Sequence, residues 1–171
     1  DEVQFITNGV AQSVTISAWG QDVIRKRGER ITTDTRFTAD KPYLIFDTLV
    51  VEAGATLTID AGATLYFHDK ASMRVEGNLQ AIGSSGALIH LRGDRTDNVV
   101  GNIDYDIMSG QWGGVQFTKD SYNNEMHYVN MRGTSWGVVV DSANIEQQKL
   151  HLFNTVLHNS SDNVLNVSYA W

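Results

Sequence analysis

The stretch EAGATLTIDAGATLYF, from Glu52 to Phe67, contains the same five residues twice. Ala-Gly-Ala-Thr-Leu at 53–57 returns eight residues later at 61–65. Each copy joins a turn signal centred on glycine to a short run that alternates apolar and polar residues, which is typical of a β-strand. Glycine adopts a positive φ at a tight corner without steric cost. Because eight residues are too few for a helical hairpin, the repeat predicts short strands joined by tight turns.

The strands on either side of this stretch recur at a spacing of about 22 to 24 residues. Leu49–Val51 precedes Met73–Val75 by 24 residues, and Leu57–Ile59 precedes Leu79–Ala81 by 22. Three short strands within such a period predict a β-solenoid, whose coils have three faces that meet at turns. The inward residues of successive coils then stack into one apolar column.

The same pattern predicts further matches between coils. It matches Leu65–Phe67 with Ile89–Leu91, Ile89–Leu91 with Val115–Phe117, Val115 with Val138, and Val129–Met131 with Leu152–Asn154. Trp112 and Trp136, which lie 24 residues apart, are predicted at equivalent positions of successive coils.

Composition restricts the function classes. The 171 residues include 13 basic and 20 acidic ones, for a formal net charge of −7. This balance disfavours the basic surface that nucleic-acid binding needs, so we expect no nucleic-acid partner. The absence of cysteine excludes disulfides and thiolate metal sites. Apolar runs are of strand length, so we expect no segment that spans a membrane.

Three segments of the chain are similar to a known protein family: the run LVVEAGATLTIDAGATLYFHDKASMRVEGNLQAIG and the later segments GQWGG and SYNNEMHYVN. These segments resemble a family of uncharacterised surface lipoproteins from Bacteroidota with a right-handed parallel β-helix. The resemblance covers residues 21–171. It implies an exported protein, lipid-anchored at the outer membrane or cell surface, that contacts glycans or outer-membrane protein partners. On this resemblance we expect membrane association only through a lipid anchor, which is absent from this chain.

The predicted domain organisation has two parts. Residues 1–20 read as two strands around Asn8-Gly9, which predicts a β-hairpin that caps the first coil or forms an appendage. Residues 21–171 form the all-β, single-stranded, right-handed parallel β-helix, with about three short strands per coil. Because the sequence ends in the strand-like VLNVSYAW, we expect the β-helix to be incomplete at its C-terminal end.

The densest acidic stretch, RGDRTDNVVGNIDYD, suggests the only metal hypothesis. Its members Asp94, Asp97, Asp104 and Asp106 are weak candidates for a calcium site. Their spacing matches no EF-hand loop, and Ca²⁺ takes six to eight oxygen ligands, so a solvated excursion between coils explains the stretch better. We therefore expect no cofactor.

Catalytic motifs are sparse. The five histidines form no HxH or HxxxH pattern, which favours structural roles. The short acidic motifs of β-helix pectinases and the Gly-x-Ser-x-Gly motif are absent. We therefore expect no catalytic residues. The alternative is a polysaccharide lyase or glycoside hydrolase of the β-helix type, with its active site partly outside this segment.

Aromatic residues beside small or polar ones supply the candidate ligand site. Trp112, Trp136, Tyr105 and Tyr122 lie at predicted loops or strand starts, where a flat ring can stack on a sugar. Packing of both indoles over coil corners is the competing interpretation. The sequence thus predicts a non-catalytic β-helix scaffold or carbohydrate-binding module, with any recognition concentrated in the excursion from residue 93 to 114.

Overall fold

The computed structural model describes residues 2–15, 22–144 and 146–168. It is all-β, and its strands from Ile24 onward form a parallel solenoid of about six turns. The predicted fold class is confirmed. No helix in the described residues is long and apolar enough to cross a membrane.

The strands are short, as the eight-residue repeat requires. In chain order they are β1 Glu2–Thr7, β2 Val10–Thr15, β3 Ile24–Arg27, β4 Arg30–Ile31, β5 Thr35–Phe37, β6 Tyr43–Phe46, β7 Thr48–Val51, β8 Thr56–Ile59, β9 Thr64–Phe67, β10 Ser72–Val75, β11 Asn78–Ile82, β12 Ile89–Gly93, β13 Asn98–Val100, β14 Ile103–Asp104, β15 Trp112–Phe117, β16 Asn124–His127, β17 Val129–Arg132, β18 Thr134–Val140, β19 Leu150–Phe153, β20 Val156–His158 and β21 Leu165–Val167. A 3-10 helix, Tyr105–Ile107, follows β14.

Three parallel sheets form the faces of the solenoid. Sheet 1 contains β3, β6, β9, β12, β17 and β20; sheet 2 contains β4, β7, β10, β15, β18 and β21; sheet 3 contains β5, β8, β11, β16 and β19. The chain passes through the three sheets in this order in each coil. Each inner strand of these sheets therefore finds its hydrogen-bond partners in the coils above and below.

The repeated AGAT segments form two corners of one coil. At the first, the N–H of Ala55 donates to the carbonyl of Glu52, and at the second the N–H of Ala63 donates to that of Asp60. The glycine of each turn has a φ of 85°. A positive φ at the third residue identifies type II turns, which favour glycine there.

Alternate residues of each strand point inward and fill the core. In β8 and β9 the apolar residues Leu57, Ile59, Leu65 and Phe67 are buried, whereas the threonines and Tyr66 between them face outward. Full burial of such side chains stabilises a fold by about 1.5–3 kcal/mol each. The predicted column of stacked apolar residues is confirmed.

Three of the predicted strand pairings between successive coils, on sheets 2 and 3, are confirmed. Met73 pairs with Leu49 and Leu79 with Leu57, and Val138 pairs with Val115.

The other predicted matches are wrong. Leu91, not Ile89, pairs with Leu65, because the corner that follows β11 is longer than the corner before β9. Val115 pairs with Met73, and Leu152 pairs with Met126. Each error comes from assuming one constant period across corners of different length.

The largest insertion lies between β12 and β15. Residues 94–111, which we call the excursion, contain the antiparallel pair β13–β14 and the 3-10 helix. The excursion contacts the outer face of sheet 1 through Asp106, whose carboxylate meets Arg92 and Arg132. It therefore covers one side of the solenoid.

The predicted N-terminal hairpin is confirmed. β1 and β2 pair antiparallel around Asn8 and Gly9, which both have a positive φ, as a type I′ turn requires. Side chains 3–14 are exposed. The role of the hairpin as a cap or an appendage stays a prediction.

Candidate functional site

A bulge in β18 directs Trp136 to the outer face of sheet 2. Trp112 pairs with Thr134 and Gly114 with Gly137, so β18 has one residue more than β15 between these pairs. A bulge of this kind redirects a side chain and often occurs beside functional sites. Trp136 is half-buried, and its strand neighbours Gly137 and Val138 are buried.

Two glycines leave room for the Trp136 ring. A Cβ at Gly113 would lie 3.2 Å from Cζ2 of Trp136, and a Cβ at Gly114 would lie 2.8 Å from its Cε3. The six-membered ring therefore lies directly against the backbone of both glycines. This contact explains the GQWGG segment, in which any larger residue would displace the indole.

The ring borders a shallow groove of about 380 Å³ on the outer face of sheet 2. Thr48, Ser72 and Val50 lie along the groove, and their strands β7 and β10 pair in register. Arg30, Arg74, Glu76 and Gln116 complete its polar lining. We call this surface the Trp136 groove.

Each arginine of the Trp136 groove forms an ion pair with a glutamate. Nε of Arg30 lies 2.5 Å from Oε1 of Glu52, and Nε of Arg74 lies 3.0 Å from Oε1 of Glu76. Both arginine side chains are more than half exposed. The groove thus offers hydrogen-bond donors and acceptors without an excess of either charge.

The candidate role of Trp112 as a glycan-stacking residue is wrong. It is completely buried, its ring stacks on Phe67 with centroids 4.0 Å apart, and its Nε1 donates to the carbonyl of Arg132 over 2.8 Å. Trp112 is therefore a core residue with a satisfied donor and is not available to stack on a glycan. It is also not equivalent to Trp136, because it pairs with Thr134.

The two predicted tyrosines lie at separate places, and a cation lies near each ring. The guanidinium carbon of Arg95 lies 4.1 Å from the ring centroid of Tyr105. Nζ of Lys149 lies 4.6 Å from that of Tyr122, and it also donates to the carbonyl of Thr118. Both rings are half-buried, and neither lines the Trp136 groove. Cation–π contacts of this kind explain their positions without a ligand.

The four candidate calcium ligands are dispersed among different partners. Asp94 contacts Nδ1 of His68 at 2.6 Å, Asp97 pairs with Arg95, and Asp104 is exposed. Asp106 faces sheet 1. Among the described ranges, the one group of three potential His or acidic metal ligands contains none of these four aspartates.

Asp106 joins the excursion to the solenoid. Both its oxygens lie 2.7 Å from Nε of Arg132, and Oδ1 lies 3.0 Å from Nη2 of Arg92. Burial alone would raise the pKa of Asp106, but the hydrogen bond from Arg132 and the positive charges of both arginines outweigh it and lower the pKa. A carboxylate held ionised by two arginines is a weak general base. The arrangement thus explains docking of the excursion better than catalysis.

His90 lies beside this ion pair on sheet 1. Burial and the charges of Arg132 and Arg92 lower its pKa, so the imidazole is neutral near pH 7. Its Nδ1 has no hydrogen-bond partner among the residues that the structure describes.

One convergent cluster was not predicted. Glu125 and His127 lie two residues apart on β16, and His151 pairs with Glu125 from the next coil. Oε2 of Glu125 lies 2.6 Å from Nε2 of His127 and 2.9 Å from Nδ1 of His151. These three side chains, which we call the His–Glu cluster, could hold a metal ion.

Sequence reasoning missed the cluster because it used the wrong period. Glu125 and His151 are 26 residues apart, whereas the predicted spacing was about 22 to 24 residues. The Glu-x-His alternation in β16 was the available signal, since residues i and i+2 of a strand share a face.

The chain matches no family model, no curated protein and no solved structure at a significant level. The resemblance to Bacteroidota surface lipoproteins therefore stays a prediction.

Proposed function

We propose that this β-solenoid is a non-catalytic binding module that recognises a glycan through the Trp136 groove. The observation that carries the proposal is the bulge in β18, which turns an indole onto an outer face whose neighbouring positions are polar. Small-molecule sites typically combine hydrophobic and aromatic side chains with a small number of precisely placed polar groups.

The contacts of Trp136 support one orientation of a bound sugar. One side of its ring lies against Gly113 and Gly114, so the apolar C–H face of a sugar would stack on the other side. Hydroxyl groups of the same sugar would reach Arg74 and Gln116, which both line the groove. Rigid aromatic contacts of this type lose little conformational entropy on binding.

The charge balance favours a neutral glycan. Each groove arginine is paired with a glutamate, and the whole chain carries a net charge of −7. An acidic polysaccharide would be repelled by this field unless an unpaired cation received its carboxylates. We therefore expect neutral polysaccharides to bind more tightly than uronic-acid polymers.

The proposal includes the location implied by the sequence resemblance, which is an exported, lipid-anchored protein at the cell surface or outer membrane. There the long side faces of the solenoid would act as a scaffold that contacts glycans or surface-protein partners.

The experiment is a glycan array followed by calorimetry on the best neutral ligand, with a reducing-end assay on the same samples. We expect binding without cleavage. Trp136→Ala should weaken binding about tenfold or more, because loss of a central aromatic contact typically costs over 1 kcal/mol. Trp136→Phe keeps a flat ring and should retain part of the affinity.

Tyr66→Ala is the matched control, since Tyr66 is an outward-facing, half-buried ring on sheet 1. It should bind as the wild type does. Equal affinity of the wild type and Trp136→Ala would exclude the groove, and release of reducing ends would favour the hydrolase or lyase alternative.

A further inference from the structure

We propose that the His–Glu cluster binds a divalent first-row transition-metal ion on the outer face of sheet 3. The cluster combines two imidazole nitrogens with one carboxylate oxygen, which is the donor set of two-histidine, one-carboxylate metal sites. It is separate from the Trp136 groove, which lies on sheet 2.

Strand register brings the three ligands together. Alternation puts Glu125 and His127 on the same face of β16, and parallel pairing places His151 beside Glu125. Backbone hydrogen bonds of the sheet fix these positions, so only side-chain rotation is needed to bind an ion. Sites built on strands are more precise than sites on loops.

The distances match an ion with adjacent ligands at right angles. The three donor atoms are separated by 2.6, 2.9 and 3.2 Å. Ligands about 2.1 Å from an ion lie about 3.0 Å apart at right angles and about 3.4 Å apart in a tetrahedron. The cluster therefore fits one triangular face of an octahedron after shifts of a few tenths of an ångström.

Exposure leaves the remaining coordination positions open. The side chains of Glu125 and His127 are about a quarter exposed, and that of His151 is 44% exposed. Phe153 packs beside both histidines, with ring centroids 5.6 and 6.3 Å from theirs. An ion held here would thus keep water on its solvent side while an apolar ring covers one flank.

Charge also favours a cation. Oε2 of the Glu125 carboxylate lies within hydrogen-bond distance of both imidazoles. A metal ion would take the place of the protons between these atoms, with each neutral imidazole carrying its proton on the other ring nitrogen. Zn²⁺, Ni²⁺ and Co²⁺ accept imidazole ligands, whereas Ca²⁺ and Mg²⁺ prefer sites of oxygen alone.

The test is calorimetric titration of the untagged chain with Zn²⁺, together with absorption spectra after addition of Co²⁺. We expect one equivalent of Zn²⁺ to bind, visible Co²⁺ bands, and no comparable binding of Ca²⁺. His151→Ala and Glu125→Gln should each weaken binding about tenfold or more.

His68→Ala is the matched control, because His68 is an exposed histidine that contacts one carboxylate, Asp94, at 2.6 Å. It should bind Zn²⁺ as the wild type does, and so should Trp136→Ala, which keeps this test independent of glycan binding. The proposal is overturned if no ion binds, or if both cluster variants, checked for native circular dichroism, titrate like the wild type.

Discussion

The regular coils from Tyr43 to Leu91 and the coil that follows the excursion use the same three sheets in different ways. In the regular part, corners such as Glu52–Ala55 are tight turns, and the outward residues lie in uniform rows. Beyond the excursion, β18 has a bulge that redirects Trp136, and Asp106 contacts sheet 1. Stacking of successive coils thus accounts for the first region, whereas departures from the repeat give the second its exposed indole and its covered face.

The largest expected effect tests the core of the regular coils. Phe67→Ala should lower the free energy of unfolding by about 3–5 kcal/mol, because it removes a fully buried ring and leaves a cavity beside Trp112. Urea unfolding measures the change. Tyr66→Ala, at the outward neighbour on the same strand, should cost about 1 kcal/mol or less. Equal losses in the two variants would contradict the inward and outward assignment.

The next effect separates a constrained glycine from an unconstrained one. Gly114→Ala should cost about 2–4 kcal/mol, because its φ is 145° and an added Cβ would collide with the carbonyl oxygen of Gly137 and the Trp136 ring. Gly101→Ala, in the excursion, should cost about 1 kcal/mol, since its φ of 58° is positive but no atom lies within 4 Å of the added Cβ.

Thermal unfolding of both variants measures this difference. Trp136 fluorescence should also change in Gly114→Ala, because the indole must move. If Gly114→Ala were as stable as Gly101→Ala, the close packing of the Trp136 ring against Gly114 would be wrong.

The sequence predicted the fold because the repeat encodes it directly. Two local signals agree with the tertiary structure. One is the glycine turn at Gly54 and Gly62, and the other is the alternation of apolar and polar residues in β8 and β9. The predicted register was wrong for Ile89, for the strand after the insertion of residues 94–111, and for Leu152, because corner length is not constant and the insertion interrupts the period.

The candidate site was less predictable. Trp112 and Trp136 have similar local sequences, QWGG and SWGV, yet one is buried and the other borders a groove. The difference depends on a one-residue bulge that only pairing between coils reveals. The cluster of Glu125 and His151 depends on register in the same way.

The smallest expected effect tests how the excursion docks. Asp106→Asn should lower stability at pH 7 by about 1–3 kcal/mol, because two mostly buried arginines lose their carboxylate partner. The pKa of Asp106 is lowered in the folded protein, so its contribution is complete above the unfolded value, near pH 4, and is lost as pH falls through the folded value. The difference between wild type and variant should therefore shrink on acidification below about pH 4.

Asp104→Asn provides the matched control from the same excursion, because Asp104 is exposed and its side chain makes no cap hydrogen bond to the 3-10 helix. Urea unfolding at pH 7 and pH 3, with limited proteolysis of residues 94–111, should leave this control unchanged and show faster cleavage in Asp106→Asn. A stability difference for Asp106→Asn that persisted undiminished at pH 3 would mean that its cause is packing rather than charge. If residues 94–111 were cleaved no faster in Asp106→Asn than in the wild type, contacts other than the Asp106 ion pair would hold the excursion on sheet 1.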